Sequence, residues 1–288
     1  MPLMTLQAHA KLNLSLDITG TAPNGYHTLD MVMHTVSLHD TITLAAADVL
    51  TLAAPDHLPQ GEDNLMVRAA LALGQAAGIR AGAHMALTKN IPSQAGMGGG
   101  SADAAAVLRG LNRLWGLDWS VERLCEIGLQ LGSDVPFALR GGTGRVRGVG
   151  DIIEPVPGAA RLWFALAMPS GGVDTGACYR RYDELGAGHR PHNDALLAAL
   201  CRGDLAAMAK YDGNALQRAA ISLNPDIEKL LEQFREMEVP VCAMTGSGAA
   251  VYAICESETA AQKACLALRG AAWSAVVCSA GEGDHDSL

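Results

Sequence analysis

The sequence of 288 residues has few aromatic side chains and no excess of basic ones. Only 4% of the residues are Phe, Trp or Tyr, so the core must be built mainly from Ala, Leu, Val and Ile. The 30 Asp and Glu residues outnumber the 21 Lys and Arg residues, and the formal net charge is −9. Because a nucleic-acid surface needs a basic patch, we expect no nucleic-acid partner. An acidic protein can still bind phosphate through a local cluster of backbone N–H groups.

The sequence also shows no C-x-x-C pair, no signal-peptide pattern and no long apolar run. Its seven cysteines are scattered and form no C-x-x-C pair, a pattern typical of thiols in a cytosolic protein. The first residues do not show the basic-then-apolar pattern of a signal peptide. No segment approaches the roughly 18 apolar residues of a transmembrane helix. We therefore expect a cytoplasmic protein with no membrane partner, ending in a mobile acidic tail from Gly281.

Chain length and turn residues predict two domains. A domain commonly has roughly 150 residues, and Pro155, Pro157 and Gly158 interrupt the apolar patterns near the middle of the chain. We expect one domain at 1–158 and another at 159–288. The second half has the pattern strand, helices, strand, strand, helix, strand, which is typical of an α+β sandwich of ferredoxin-like order.

The first half begins with a strong strand pattern. From Thr5 to Ile18 polar and apolar residues alternate, which predicts a half-buried strand. Lys11 and Asn13 then project together from its polar side, where a plain solvated face is the simpler interpretation. A turn is predicted at residues 23–25, and Asp63 is expected to be the N-cap of a helix.

The most informative segment is a glycine-rich loop between a strand and a helix. A predicted strand ending at Thr88 leads through Pro92 to Gly96, Gly98, Gly99 and Gly100, and an alanine-rich helix follows. Glycines let the backbone adopt positive φ and approach a ligand closely. The free N–H groups and the dipole of the following helix attract anions. The segment predicts a phosphate site, although a structural turn before a buried helix has the same pattern.

The spacing does not fit the two commonest phosphate loops. A P-loop has Lys before its Ser or Thr, whereas Gly100 precedes Ser101 here. A dinucleotide fingerprint starting at Gly96 needs a third glycine where this chain has Ser101. No apolar strand ending in an acidic residue follows roughly 20 residues later, as that fingerprint also requires.

Two aspartates are candidates for acid–base chemistry. Transfer of a phosphoryl group to a hydroxyl needs a phosphate cradle, a carboxylate that takes the proton and a nearby cation. Asp134 lies beside Ser133 and two residues before Pro136, where it suits either a base or an ordinary N-cap. Asp103 is the rival, and we expect it in the first turn of the loop's helix, stabilising the helix start or reaching a metal.

The loop resembles the ATP-phosphate loop of the GHMP kinase superfamily, most closely that of the 4-diphosphocytidyl-2-C-methyl-D-erythritol kinases. The matching segment runs from Ile91-Pro92 through Gly96-Met97-Gly98-Gly99-Gly100-Ser101 to Asp103-Ala104-Ala105. Further motifs of that family occur in the same order along the chain. They are Ala10-Lys11-Leu12-Asn13-Leu14, Gly25-Tyr26-His27, Asn64-Leu65, Gly132-Ser133-Asp134-Val135-Pro136-Phe137 and Thr245-Gly246-Ser247-Gly248.

This resemblance implies a fold, a reaction and a set of site residues. The fold would be a ribosomal protein S5 domain 2-like N-terminal domain followed by a ferredoxin-like C-terminal domain. The reaction would be transfer of the ATP γ-phosphate, with Mg²⁺, to the 2-hydroxyl of 4-diphosphocytidyl-2-C-methyl-D-erythritol, by a monomer or homodimer. Asp134 would be the base, Lys11 its cation, and Ser101 the only metal ligand that can be suggested.

The resemblance also assigns binding residues. Those expected at ATP are Asn64, Lys89, Pro92, Gly96, Met97, Gly98, Gly99, Gly100, Ser101 and Ala102. Those expected at the acceptor are Asn13, Tyr26, His27, Thr175 and Tyr179. Tyr26 would stack on cytosine while His27 bonds its edge, although a surface histidine and a core Tyr179 are simpler interpretations.

The chain departs from the family pattern at three places. Ala102 stands where a second serine is usual, Met97 where leucine is usual, and Ala215 interrupts a usual Asn-Asp-Leu. Two alternatives stay open, a homoserine- or mevalonate-type kinase and a non-catalytic sensor on the same fold. Homoserine and mevalonate kinases lack the Gly-Tyr-His turn that this chain has. A non-catalytic sensor would lack the base or the cation, whereas this chain has both Asp134 and Lys11.

Overall fold

The computed structural model describes residues 3–23, 25–80, 82–186 and 188–280, which form an α+β fold as predicted. Asn24 of the predicted turn and the acidic tail from Gly281 lie outside the described residues. Within the described residues, no helix is long and apolar enough to cross a membrane. All seven cysteines are free thiols.

The strands and helices follow the apolar periodicity of the sequence. The strands are β1 (Met4–Thr21), β2 (His27–Ala46), β3 (Leu50–Ala53), β4 (Ala83–Thr88), β5 (Thr143–Gly148), β6 (Ile152–Pro155), β7 (Trp163–Met168), β8 (Gly213–Asn214), β9 (Val241–Met244), β10 (Val251–Cys255) and β11 (Trp273–Cys278). The helices are α1 (Leu65–Ala77), α2 (Gly99–Leu114), α3 (Val121–Leu131), α4 (Val135–Arg140), α5 (Thr175–Leu185), α6 (Asn193–Arg202), α7 (Leu205–Tyr211), α8 (Gln217–Leu223), α9 (Asp226–Glu236) and α10 (Glu258–Ala267).

The first sheet is built around the long antiparallel hairpin of β1 and β2. Its path is β3-β4-β2-β1-β8, and β5 pairs with the other end of β2 and carries β6. Strand β8 comes from the second half of the chain and pairs parallel with β1 at Ser15 and Leu16. The sheet therefore joins both halves of the sequence.

The second sheet has the predicted ferredoxin-like order. Its strands run β11-β7-β10-β9, and every neighbouring pair is antiparallel. Numbered by their own sequence order, these strands are arranged 4-1-3-2, as in a ferredoxin-like βαββαβ unit.

Two apolar cores stabilise the fold, and one of them crosses the predicted domain boundary. The first core packs α1 and α2 on the outer half of the hairpin, around residues such as Leu44 and Leu108. The second core runs from β1 into the second sheet, where Tyr252 Oη donates to Leu14 O at 3.3 Å. The boundary at residue 158 falls between β6 and β7 and stays a prediction.

Two local predictions for the first half were wrong. The polar side of β1 is not half-exposed, because Lys11, Asn13 and Ser15 are only 7%, 2% and 1% exposed beneath the second half of the chain. The N-cap of α1 is Asn64 rather than Asp63. Asn64 Oδ1 accepts from Met66 N at 2.9 Å, while Asp63 belongs to a preceding 3-10 turn.

His34 is a buried polar link between the two sheets. It lies on β2, and its ring bonds Thr143 Oγ1 of β5 at 2.8 Å and Ser279 Oγ, just after β11, at 2.7 Å. Burial lowers the pKa of this imidazole from 6.5 to about 4. The ring is therefore neutral in the folded protein at physiological pH.

We predict that His34 makes the protein sensitive to mild acid. The unfolded chain takes up a proton here more readily than the folded protein, so stability is lost as pH falls through the window between 6.5 and about 4. The expected contribution is a loss of about 2 kcal/mol between pH 7 and pH 5. Denaturant unfolding at the two pH values should show this loss in the wild type and much less of it in His34→Gln. The exposed His57→Gln should keep the wild-type difference, and equal differences in all three proteins would refute the prediction.

Candidate active site

The N-terminus of α2 is an uncapped helix start made of glycine. The N-cap Gly98 has φ 69°, and no side chain bonds the first-turn N–H groups. Helices α1, α3 and α5 are instead capped by the side chains of Asn64, Ser120 and Asp174. Since a helix start leaves donors unsatisfied, the first turn of α2 keeps its N–H groups available for an anion.

A cavity of about 520 Å³ opens at this helix start. Its size lies within the range of roughly 300 to 1,000 Å³ that is usual for ligand sites. The predicted site residues that line it are Lys11, Asn13, Asn64, Lys89, Pro92, Gly96, Met97, Gly98, Gly99, Gly100, Ser101, Asp134, Thr175 and Tyr179. Residues from both halves of the chain therefore surround one space.

Three predicted site residues do not line this cavity. Ala102 is 3% exposed and packs into the first core, so it offers a ligand no side chain. Tyr26 is 70% exposed, and His27 lies beside the lining residue Tyr179. The binding roles assigned to these three residues stay predictions.

Lys11 and Asp134 form the charged centre of the cavity. Lys11 Nζ lies 3.4 Å from Asp134 Oδ2 and donates to Asn13 Oδ1 at 2.6 Å and to Gly96 O at 2.8 Å. Alternation along β1 puts Lys11 and Asn13 on the same side, as predicted. Asp134 is the N-cap residue of α4, yet its side chain makes no capping bond. Its carboxylate faces Lys11 instead, so the simple capping interpretation does not account for it.

Gly98 brings the loop against this pair. A Cβ at Gly98 would lie 3.1 Å from Lys11 Cε and 3.4 Å from Asp134 Oδ2. Its positive φ is also a conformation that side chains rarely adopt. The glycine-rich loop, the cation and the carboxylate thus converge at a single residue.

The Thr245-Gly246-Ser247-Gly248 motif supports the loop from the second half of the chain. Thr245 Oγ1 accepts from Asn13 N at 2.9 Å and donates to Gly96 O at 3.4 Å. Gly246 and Ser247 line the cavity, and Ser247 Oγ lies 2.9 Å from Thr175 Oγ1 at the start of α5. The second half of the chain is therefore bonded to the loop that begins α2.

Asp40 supports the start of the loop and was missed by sequence reasoning. Its Oδ1 accepts from Asn90 N at 2.6 Å and Ile91 N at 2.8 Å, and its other oxygen pairs with Lys89 Nζ. The sequence did contain a signal for this role, because Asp40 occupies the same face of β2 as the buried Ile42. A charge at an apolar position of a strand needs a partner.

Asp103 is not in the first turn of α2, and that prediction was wrong. It is the fifth residue of the helix, 4% exposed, and its Oδ2 accepts from Lys89 Nζ at 3.0 Å. Burial, reinforced by the charge of Asp40 and opposed by Lys89, raises the pKa of Asp103 to about 7. Lys89 is thus shared between two carboxylates, although it still lines the cavity.

Helix α5 closes the other end of the cavity. The Tyr179 ring stacks on His27 with centroids 5.0 Å apart and an interplanar angle of 25°. Burial, with the negative charge of Asp134 in addition, raises the pKa of the Tyr179 phenol. His27 Nε2 lies 2.8 Å from Asp183 Oδ1, which is also on α5.

Comparison with known proteins identifies the class. The chain matches the models of the GHMP kinases N terminal domain over residues 64–142 and of the GHMP kinases C terminal region over residues 196–275. A solved homoserine kinase from Cytophaga hutchinsonii shares the fold, with a TM-score of 0.76 at 20% identity over 97% of this chain and 95% of its own. The protein is a GHMP kinase.

More similar proteins identify the family within that class. The chain is 41% identical to a 4-diphosphocytidyl-2-C-methyl-D-erythritol kinase of Symbiobacterium thermophilum over 87% of this chain and 90% of that protein. The corresponding enzyme of Geobacillus kaustophilus is 38% identical over 93% of both chains. A crystal structure of 4-(cytidine 5'-diphospho)-2C-methyl-D-erythritol kinase superposes with a TM-score of 0.81 at 32% identity, covering 96% of this chain and all of that one. This chain belongs to the family of 4-diphosphocytidyl-2-C-methyl-D-erythritol kinases.

We predict that a side chain at Gly98 will disable the loop while one at Gly100 will be tolerated. Gly98→Ala forces a strained φ and presses on Lys11, so the Kd for ATP should rise at least about tenfold. Gly100 has no positive φ, and its nearest contact for a new Cβ is Leu65 Cδ1 at 3.4 Å. Calorimetric titration of ATP into both variants tests this. The prediction fails if the two alanine variants bind ATP equally well.

Proposed function

We propose that this chain transfers the γ-phosphate of ATP to the 2-hydroxyl of 4-diphosphocytidyl-2-C-methyl-D-erythritol, a step of non-mevalonate isoprenoid synthesis. The observation that carries the proposal is the 3.4 Å contact of Lys11 and Asp134 beside the uncapped start of α2. A phosphate cradle, a carboxylate and a cation are the three parts that transfer to a hydroxyl requires. Membership of the family specifies the acceptor.

In the proposed reaction Asp134 is the general base. Its carboxylate takes the proton of the acceptor hydroxyl as that oxygen forms a bond to the γ-phosphorus. The bond from the γ-phosphorus to the bridging oxygen of ADP breaks, and ADP leaves. The Asp134 side chain is 30% exposed, so a bound acceptor can reach it. A general base within hydrogen-bond reach is the first requirement for such a step.

Lys11 orients the base and offsets negative charge. Its Nζ donates to Asn13 Oδ1 and Gly96 O, which are both uncharged acceptors. Among the contacts of this Nζ in the described part of the chain, Asp134 provides the one carboxylate. Lys11 therefore orients the Asp134 carboxylate and offsets the negative charge that develops on the transferring group. Preorganised charges of this kind are usually the largest contribution to catalysis.

The residues present fit a magnesium ion that is held largely by nucleotide. Among the described residues no group of three His, Cys, Asp or Glu side chains could hold a metal. Mg²⁺ commonly binds substrate phosphates, waters and only one or two protein ligands. Ser101, which lines the cavity in the first turn of α2, would be a ligand. When bound, Mg²⁺ neutralises phosphate charge.

The acceptor base is proposed to lie at the α5 end of the cavity. Tyr26 would stack on cytosine and His27 would bond the polar edge of the base. Support comes from the aromatic cluster of His27, Tyr179 and Tyr182 at that end. We further propose a cytoplasmic monomer or homodimer, consistent with seven free thiols.

We predict that Asp134→Asn abolishes turnover without unfolding the protein. Loss of a general base typically lowers kcat by roughly 10² to 10⁴-fold. The Asp134 side chain makes no capping hydrogen bond to α4, so the substitution removes no helix cap and should leave the stability of the fold unchanged. ADP release should be measured beside thermal unfolding and ATP titration. Asp48→Asn makes the same chemical change at an exposed turn and should keep wild-type kcat. A fully active and folded Asp134→Asn would show that another group takes the proton.

An acceptor panel tests the proposed substrate directly. ADP release by the purified protein should be measured with 4-diphosphocytidyl-2-C-methyl-D-erythritol, homoserine and mevalonate at matched concentrations. We expect turnover of the cytidyl compound to exceed turnover of homoserine or mevalonate by at least about 10³-fold. Only the cytidyl compound carries a cytidine, whose binding energy can lower the barrier to transfer. Comparable turnover of homoserine or mevalonate would overturn the acceptor assignment, and turnover of none would overturn the kinase function.

A further inference from the structure

The contact between His27 and Asp183 determines which ring nitrogen of His27 carries the proton. His27 Nε2 lies 2.8 Å from Asp183 Oδ1. An ionised carboxylate can only accept hydrogen bonds, so Nε2 must be the donor. In the neutral imidazole the other nitrogen then has no hydrogen and presents a lone pair. Nδ1 is therefore the acceptor of this ring, and within the described part of the chain it has no hydrogen-bond partner.

Helix α5 also restrains the plane of the ring. Tyr179 stacks on His27 at 5.0 Å, and Tyr182 meets it edge-on with centroids 5.9 Å apart at 87°. Tyr179, Tyr182 and Asp183 are spaced three and four residues apart, which puts them on one face of the helix. One helix face thus fixes the ring orientation and its tautomer together.

The restrained histidine adjoins the catalytic cavity. Tyr179 lines the cavity on the same helix as Thr175, and Leu29, two residues after His27 on β2, lines it as well. His27 itself lies outside the lining but stacks on Tyr179, so a base bound at this end adjoins the His27 ring. The free nitrogen is then available to a ligand.

We propose that Asp183 is a positioning residue that sets the base specificity of the kinase by holding His27 in the Nε2–H tautomer. Nδ1 then accepts a hydrogen bond from the 4-amino group of cytosine. Uracil carries an oxygen at this position, which is also an acceptor, so the uridyl analogue leaves two acceptors facing each other. This inference rests on the proposed function, because it requires a cytidyl acceptor.

Substitution of Asp183 should weaken the preference of the site for cytosine over uracil. A buried acceptor without a donor loses affinity, and sites built around such a hydrogen bond reject the wrong ligand strongly. An asparagine at position 183 could donate its own amide hydrogen to Nε2. The proton would then move to Nδ1, which becomes a donor and suits uracil.

The test compares the cytidyl and uridyl forms of the acceptor in wild type, Asp183→Asn and Asp183→Ala. We expect the ratio of kcat/KM values to fall at least about tenfold in both variants, with KM for ATP unchanged. Asp183→Glu, which keeps a carboxylate, should recover part of the ratio. Glu184→Gln is the matched control, since Glu184 is next along α5 and pairs with Arg181 Nη1 at 2.6 Å instead. It should leave the ratio unchanged.

A spectroscopic measurement separates positioning from loss of structure. The ¹⁵N resonances of the His27 ring, assigned by their loss in His27→Asn, should report a protonated Nε2 and a bare Nδ1 in the wild type. In Asp183→Asn the Nδ1–H form should appear. A wild-type ring protonated at Nδ1, or an unchanged ratio in Asp183→Asn, overturns this inference and leaves the proposed kinase function intact. A wild-type protein that turns over neither acceptor overturns both.

Discussion

The position of one ammonium group links the parts of this candidate active site. Lys11 projects from β1, and its Nζ contacts the carbonyl of Gly96 in the glycine-rich loop and the carboxylate of Asp134 before α4. These groups come from three separate regions of the sequence, so no local pattern could bring them together. The buried lysine needs such partners, because an unpaired charge away from water is costly. Satisfying Lys11 therefore also assembles the proposed catalytic pair beside the glycine-rich loop.

The rest of the structure holds the loop in that position. Asp40 fixes the backbone where the loop begins, and Thr245 bonds Gly96 where it turns toward the helix. Both supports are side chains on or beside strands, in different sheets. A loop rich in glycine has much backbone entropy to lose, so supports from both sheets are needed to keep its N–H groups in a binding arrangement.

An acidic chain can bind a highly charged anion because the relevant field is local. The net charge is −9, yet the cavity combines the positive end of α2 with Lys11 and Lys89. Lys89 is already shared between Asp40 and Asp103, and Lys11 faces Asp134, so the start of α2 supplies positive field that these carboxylates do not offset. Screening limits surface charges to about one Debye length, roughly 8 Å at physiological salt. The acidic residues elsewhere on the surface therefore have little influence on the field inside the cavity.

The sequence by itself determined the features that depend on neighbouring residues. The alternation along β1, the glycines before α2 and the succession of strands and helices in the second half of the chain all follow from local periodicity, turns and helix signals. Tertiary structure decided the contacts between distant residues: the burial of the polar side of β1, the pairing of β8 with β1, the partners of Asp40 and the bond from His27 to Asp183. Each joins segments separated by tens to hundreds of residues. Their geometry depends on how the two sheets pack, which a period of two or of 3.6 residues does not encode.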